Sequence, residues 1–136
     1  MTVTQLAVDS DTRDAFQLLA DVSATLTVTV DERQWQEQGF PALELAVVLL
    51  HWDLPELTDG VFNSTHIANE PALQVRGNAK ATTLTMFDGT QLQLPTEVVQ
   101  RDLARLVDDV ETWTTQTLGL TVADIADAVN YQGRYR

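Results

Sequence analysis

The stretch that decides the fold is the most apolar run of the chain, Gly39–Trp52, which reads GFPALELAVVLLHW. Its apolar residues fall into two stripes at helical spacing, one through Leu43, Ala46, Val47 and Leu50 and one through Leu45, Val48, Leu49 and Trp52. A helix that is apolar on both sides is covered on both sides. Pro41 suits a first helical position, where its missing N–H is not needed. We therefore predict a buried helix over residues 41–52 as the centre of the fold.

A β-hairpin is predicted just before this helix, over residues 22–38. Apolar and threonine side chains alternate from Val22 to Val30, which is the period of a strand with one face in water. Residues 31–33 read as a turn, and the next residues return with Trp35 among glutamines and glutamates. Trp35 is therefore expected to be partly exposed. Residues 2–8 are a further strand candidate, followed by a short helix that Ser10 or Asp11 would cap.

Short strands are predicted after the helix, over residues 61–64, 73–75, 82–87 and 91–94. Asp88-Gly89 lies between the last two and is a strong hairpin signal. These strands are interpreted as an antiparallel meander that continues the sheet of the first hairpin. A long amphipathic helix follows over residues 96–118, with Gly119 as its C-cap, and a short helix over 121–130. The prediction is one α+β domain, residues 1–136, with an antiparallel sheet of about five to six strands packed against helices 41–52 and 96–118.

The composition restricts the classes of partner. The 136 residues carry a net charge of −12, which argues against nucleic acid and favours encounter with a basic partner. Cysteine is absent, so disulfides and thiolate metal sites are excluded. The N-terminus does not have the pattern of a signal peptide, and Gly39–Trp52 is shorter than the roughly 20 apolar residues of a membrane span. A cytoplasmic protein without membrane contact is the expectation.

Catalytic and metal motifs are weak in this sequence. His51 and Asp53 are two apart, a spacing that does not bring side chains together on a helix. Asp53, Glu56 and Asp59 recur every three residues, but the spacing differs from the EF-hand pattern and Pro55 interrupts it. We interpret this loop as solvated rather than as a metal site, and predict no catalytic residue and no cofactor. An enzyme that uses His51 or the acidic loop is a further possibility, besides a protein-binding and a small-molecule-binding function.

Partner binding is the role for which the sequence offers candidates. Acidic residues cluster in the loop after the central helix and on the long helix, where Asp102 adds to the same face. The predicted partner-binding residues are Asp53, Glu56, Asp59, Asp108, Asp109, Glu111 and Trp35.

The strand–turn–helix block resembles a family of small uncharacterised actinobacterial proteins, some of which are similar to immunity proteins of polymorphic toxin systems. The resemblance lies in the strand Ala20–Asp31, in Phe40–Ala46 with the tryptophan at the helix end, and in Val61–Ser64. It spans residues 20–118 and is closest over 20–64. It implies a protein that binds a cognate toxin and blocks it. The acidic charge of the chain predicts that this toxin is basic, and the chain is expected to be a monomer or homodimer. The alternative is a small-molecule or lipid-binding α+β domain with its pocket between the sheet and the long helix.

Overall fold

The computed structural model describes residues 1–8, 14–64 and 71–129. Over these ranges the chain forms seven strands, four α-helices and one short 3₁₀ turn. In chain order they are β1 (Thr2–Val8), α1 (Ala15–Asp21), β2 (Val22–Val30), β3 (Arg33–Phe40), α2 (Ala42–Leu49), the 3₁₀ turn Leu54–Glu56, β4 (Asp59–Phe62), β5 (Leu73–Gly77), β6 (Ala81–Met86), β7 (Gln91–Pro95), α3 (Thr96–Leu118) and α4 (Val122–Val129). The predicted α+β class and the predicted helix 96–118 are confirmed.

The strands form two antiparallel sheets, not the one continuous sheet that the sequence predicted. The first has the order β1-β2-β3 and the second the order β4-β5-β6-β7. α3 contacts β1 of the first sheet and β6 and β7 of the second. Both sheets and the helices contribute to one hydrophobic core.

α2 is the buried centre of the fold, as predicted, but it is shorter. All eight residues from Ala42 to Leu49 are buried. The backbone then tightens, because the amides of His51 and Trp52 donate to the carbonyls three residues earlier, Val48 and Leu49. This turn leaves Leu50, a predicted core residue, 43% exposed.

Strand β2 gives the β2–β3 hairpin apolar side chains on its inner face, and polar side chains lie on the outer face. Leu26 and Val28 are fully buried on the inner face, opposite Glu37 and Trp35 of β3. On the outer face, Gln36 donates from its side-chain amide to the hydroxyl of Thr27 at 3.2 Å. α2 covers part of this hairpin through β2, and the tip with Trp35 extends beyond the fully buried region.

α3 buries a stripe of its residues at spacings of three and four, as predicted, but that stripe includes an acid. Asp102 was expected on the acidic outer face and is instead buried. Its carboxylate lies 3.0 Å from the α-amino group of Met1 and 3.5 Å from Nε of Arg101. The helix ends at Gly119 with a φ of 70°, the left-handed C-cap that the sequence predicted.

Candidate partner-binding site

A cleft of about 610 Å³ opens between the tip of the β2–β3 hairpin and strand β7. Its lining residues come from both sheets: Val30, Asp31, Arg33, Gln34, Trp35, Thr90, Gln91, Leu92 and Gln93. None of them belongs to α3, so this cleft does not lie at the pocket position predicted between the sheet and the long helix. We call it the hairpin cleft.

The hairpin cleft faces the edges of two strands. Successive residues of a strand point to opposite faces, yet consecutive residues of β3 and of β7 line the same space. The cleft therefore reaches past the faces of both sheets to the strand edges. β3 ends the first sheet and β7 ends the second, so each has one side without a neighbouring strand in the described structure.

Trp35 connects the two walls of the hairpin cleft. Its indole N–H donates to Oδ2 of Asp88, in the β6–β7 turn, at 3.4 Å. The turn itself is set locally: Gly89 has a φ of 87°, and the carboxylate of Asp88 accepts the amide of Thr90 at 2.9 Å. The short loop thereby presents Asp88 towards the tip of the other sheet.

The pKa values of two carboxyl groups beside Trp35 are shifted in opposite directions. Burial raises the pKa of the Glu37 carboxyl, and the negative charge of Asp88 raises it further. Hydrogen bonds from Thr90 lower the pKa of Asp88, and the bond from Trp35 lowers it as well. Glu37 lies two residues from Trp35 on the same face of β3. Arg33, two residues from Trp35 in the other direction, also lines the cleft, but neither Glu37 nor Asp88 forms an ion pair within the described part of the chain.

The predicted acidic loop is exposed, and its carboxylates do not converge. Asp53 and Glu56 are exposed around the 3₁₀ turn, which is anchored to α3 by a bond from the side chain of Gln100 to the carbonyl of Leu57 at 3.0 Å. Asp59 is exposed at the start of β4, opposite Arg76 of β5. Over the described residues, no group of three or more metal-ligating side chains is close enough to hold an ion.

Of the three predicted partner-binding residues on the long helix, two are exposed and one is hydrogen-bonded to α4. Asp108 and Asp109 are exposed. The carboxylate of Glu111 instead accepts the amide of Val122 at 2.7 Å and so pairs one of the free amides at the start of α4, beside the N-cap residue Thr121. Arg105 lies three and four residues before the two aspartates and therefore shares their surface.

His51 is exposed in the turn after α2. No hydrogen bond or ion pair connects it with Asp53, and the structure assigns the pair no common site. The other histidine of the sequence, His66, lies outside the described residues.

Sequence reasoning identified Trp35 but missed Glu37, Asp88 and the edge of β7. Asp88 was visible only as part of a turn signal, and Glu37 only as one of several acids in the hairpin. Their proximity depends on how the second sheet lies against the first, and no local pattern encodes that arrangement.

Comparison of the chain with protein-family models, with curated proteins and with solved structures finds no match. No helix within the described ranges has both the length and the apolar character needed to cross a membrane.

Proposed function

We propose that this chain is a non-catalytic protein-binding domain whose partner is a basic protein, and that this partner is a bacterial toxin which the chain neutralises. The observation that carries the proposal is that several surface carboxylates are exposed and have no cationic partner among the described residues. Asp53, Glu56, Asp108 and Asp109 are exposed and form no ion pair in the described part of the chain. The two ion pairs seen between described residues, by contrast, involve the buried Asp102.

An acidic surface of this kind favours association with a basic protein. The net charge of −12 steers an oppositely charged partner to the chain and repels nucleic acid. Basic charge is common among toxins that act on nucleic acids, which is why the partner class fits the resemblance noted above. Neutralisation by binding requires a stable scaffold and a complementary surface, and no chemistry.

The test co-expresses the chain with a toxin candidate encoded beside its gene and measures growth. We expect growth to be restored and a complex to form that weakens between low and physiological salt, since exposed charges are screened over about 8 Å at 0.15 M. The double variant Asp108→Lys/Asp109→Lys should weaken the complex, whereas Thr112→Lys/Thr115→Lys, which adds lysines nearby but removes no carboxylate, should weaken it less. A chain that neither binds nor protects overturns the proposal.

A small-molecule-binding domain is the second candidate, and the volume of the hairpin cleft favours it. Ligand pockets measure about 300–1,000 Å³, and this cleft has about 610 Å³. Its walls are rich in glutamine and charged residues, whereas such pockets are mostly apolar. A fragment screen by protein NMR tests this candidate: fragments that shift Trp35 and Leu92 specifically would support it.

A further inference from the structure

The outer edge of β7 is a row of backbone groups directed away from its own sheet. The amide of Met86 donates to the carbonyl of Thr90 at 2.9 Å, so these two residues form a hydrogen-bonded pair of the β6–β7 ladder. Such pairs alternate with non-hydrogen-bonded pairs along antiparallel strands. The register Thr85↔Gln91 and Thr83↔Gln93 therefore turns the N–H and C=O groups of Gln91 and Gln93 outward. Both residues line the hairpin cleft.

The side chains around this edge favour a basic occupant. Trp35, Val30 and Leu92 give the hairpin cleft apolar surface, and its two charged lining residues, Asp31 and Arg33, have opposite sign. Glu37 and Asp88 stand beside Trp35 and form no ion pair with another described residue, so the net charge at this end is negative. A lysine or arginine can lay its aliphatic stem along such surface while its charged end reaches the carboxylates and the indole.

We propose that the hairpin cleft binds an extended segment of a basic partner protein, which adds as a strand to the free edge of β7 and places a lysine or arginine between Trp35, Glu37 and Asp88. The proposal rests on the proposed function for the charge of the partner, and adds where and how that partner is held. Exposed strand edges pair readily with a further strand, and their main-chain hydrogen bonds supply affinity with little dependence on sequence.

A second copy of this chain is the less favourable occupant. Each copy has a net charge of −12, and Glu32 and Glu37 lie on the same hairpin that would enter the cleft. Like charges brought together at an interface oppose association. A basic segment meets the same groups with favourable charge.

The experiment uses synthetic octapeptides, because main-chain pairing does not require the natural partner. The probe alternates lysine with threonine. Two matched peptides separate the contributions: alternating glutamate and threonine reverses the charge, and the lysine–threonine peptide N-methylated at every residue keeps the charge but has no backbone donor. Binding is measured by protein NMR titration, and amide hydrogen exchange is followed at Gln91 and Gln93. We expect saturable binding of the probe alone, with slower exchange at these two amides.

Variants of the chain test the same contacts from the other side. Trp35→Ala should weaken binding by about tenfold or more, as for buried aromatic contacts at interfaces, while Phe87→Ala, which removes an exposed aromatic that does not line the cleft, should not. Gln93→Pro removes one outward N–H and should weaken binding, whereas Gln93→Ala keeps that N–H and should bind like the parent. Asp88→Asn should weaken binding more than Asp108→Asn, although both remove one negative charge.

Three results would overturn the proposal. They are no saturable binding of the lysine–threonine probe, equal binding of its N-methylated form, and self-association through the β7 edge in sedimentation. Failure of the strand-addition proposal can be distinguished from failure of the proposed function. Loss of toxin binding in Asp108→Lys/Asp109→Lys but not in Trp35→Ala would sink the strand-addition proposal and leave the proposed function standing. If the probe binds in the cleft but the chain does not neutralise the toxin candidate, the strand-addition proposal stands and the proposed function fails.

Discussion

Glu37 carries a charge that its surroundings disfavour. It lies on the inner face of β3, opposite the fully buried Leu26, and near Asp88 of the other sheet. Burial and the Asp88 charge both raise its pKa. The folded state therefore holds the Glu37 proton more tightly than the unfolded state does, and the ionised form disfavours folding.

We predict that Glu37→Gln stabilises the protein at pH 7 and has less effect at pH 4. Below the ordinary pKa of 4.5 both states are protonated. As the pH rises from that value through the raised folded pKa, the unfolded state loses its proton first, so the contribution of Glu37 to the free energy of unfolding falls. Urea unfolding at the two pH values measures the difference. Glu32→Gln, at an exposed turn position, is the control, and equal stabilisation by Glu37→Gln at both pH values would contradict the prediction.

Asp88 affects the pH dependence of stability in the direction opposite to Glu37. Its pKa is lowered, so its stabilising contribution is present above the ordinary pKa and is lost as the pH falls through the lowered value. The two carboxylates beside Trp35 thus give opposite pH dependences from one small region.

Glu44 is fully buried in α2 and receives a hydrogen bond from the hydroxyl of Ser64. We predict that Ser64→Ala lowers the free energy of unfolding by about 1–3 kcal/mol, since a hydrogen bond to a buried carboxyl group is lost. Chemical denaturation measures this. Asn63→Ala, at the exposed neighbouring position, should stay within about 0.5 kcal/mol, and a Ser64→Ala variant as stable as that control would show that the bond contributes little.

At the scale of single elements, the turn between β5 and β6 depends on a close approach of two backbones. A Cβ atom added at Gly77 would lie 2.3 Å from the carbonyl oxygen of Ala81 and 2.6 Å from Cα of Thr82. These are backbone atoms, so the clash is relieved only by moving one strand against the other.

Gly77→Ala should therefore destabilise the protein by about 1–3 kcal/mol, the usual range for overpacking. Thermal unfolding followed by circular dichroism is a suitable measurement. Ala79→Ser, within the same turn and exposed, is the control and should leave the midpoint nearly unchanged. Equal midpoints for both variants would mean that the two strands separate at little cost.

Elements with a strong local signal were predicted well. α3 has the bounds 96–118 that were predicted, because apolar side chains recur at spacings of three and four from Val99 to Trp113 and Gly119 ends the helix. α2 was predicted to begin one residue early, at Pro41, and to extend three residues too far at its C-terminal end. The second error arises because Leu50 continues the apolar pattern while the backbone has already tightened after Val48 and Leu49. The division of the strands into two sheets was not predictable, since strand signals do not specify which strands are neighbours.

At the scale of the whole molecule, most of the negative charge is uncompensated. A net charge of −12 implies repulsion across the surface, because exposed carboxylates such as Asp53, Glu56, Asp108 and Asp109 form no ion pair with another described residue. We predict that the free energy of unfolding rises when NaCl is increased from 10 mM to 0.15 M, because the Debye length shortens from about 30 Å to about 8 Å.

The measurement is urea unfolding at the two salt concentrations at constant pH. Asp108→Asn/Asp109→Asn carries less charge and should show a smaller increase than the parent chain. A decrease in stability with salt would indicate that attractive surface pairs outweigh the repulsion.

The candidate site was predictable only in part, and the reason lies at this scale. The polar surroundings of Trp35 in the sequence indicated an exposed aromatic, and acidic side chains at Asp53, Glu56, Asp108 and Asp109 are exposed as predicted. The hairpin cleft arises where the two sheets meet, and Trp35 and Asp88, which connect its walls, are 53 residues apart in the chain. Such a site is a product of the packing of sheets and has no signature within either of them.

α3 contacts strands of both sheets, so the burial of each sheet depends on the same helix. Neither sheet can leave the core without exposing the apolar stripe of α3 that the other sheet also covers. The two sheets should therefore open as one cooperative unit, and the slowest amides of β2 and of β6 should exchange with solvent at the same free energy. Truncation of either sheet would then remove the folded state of both.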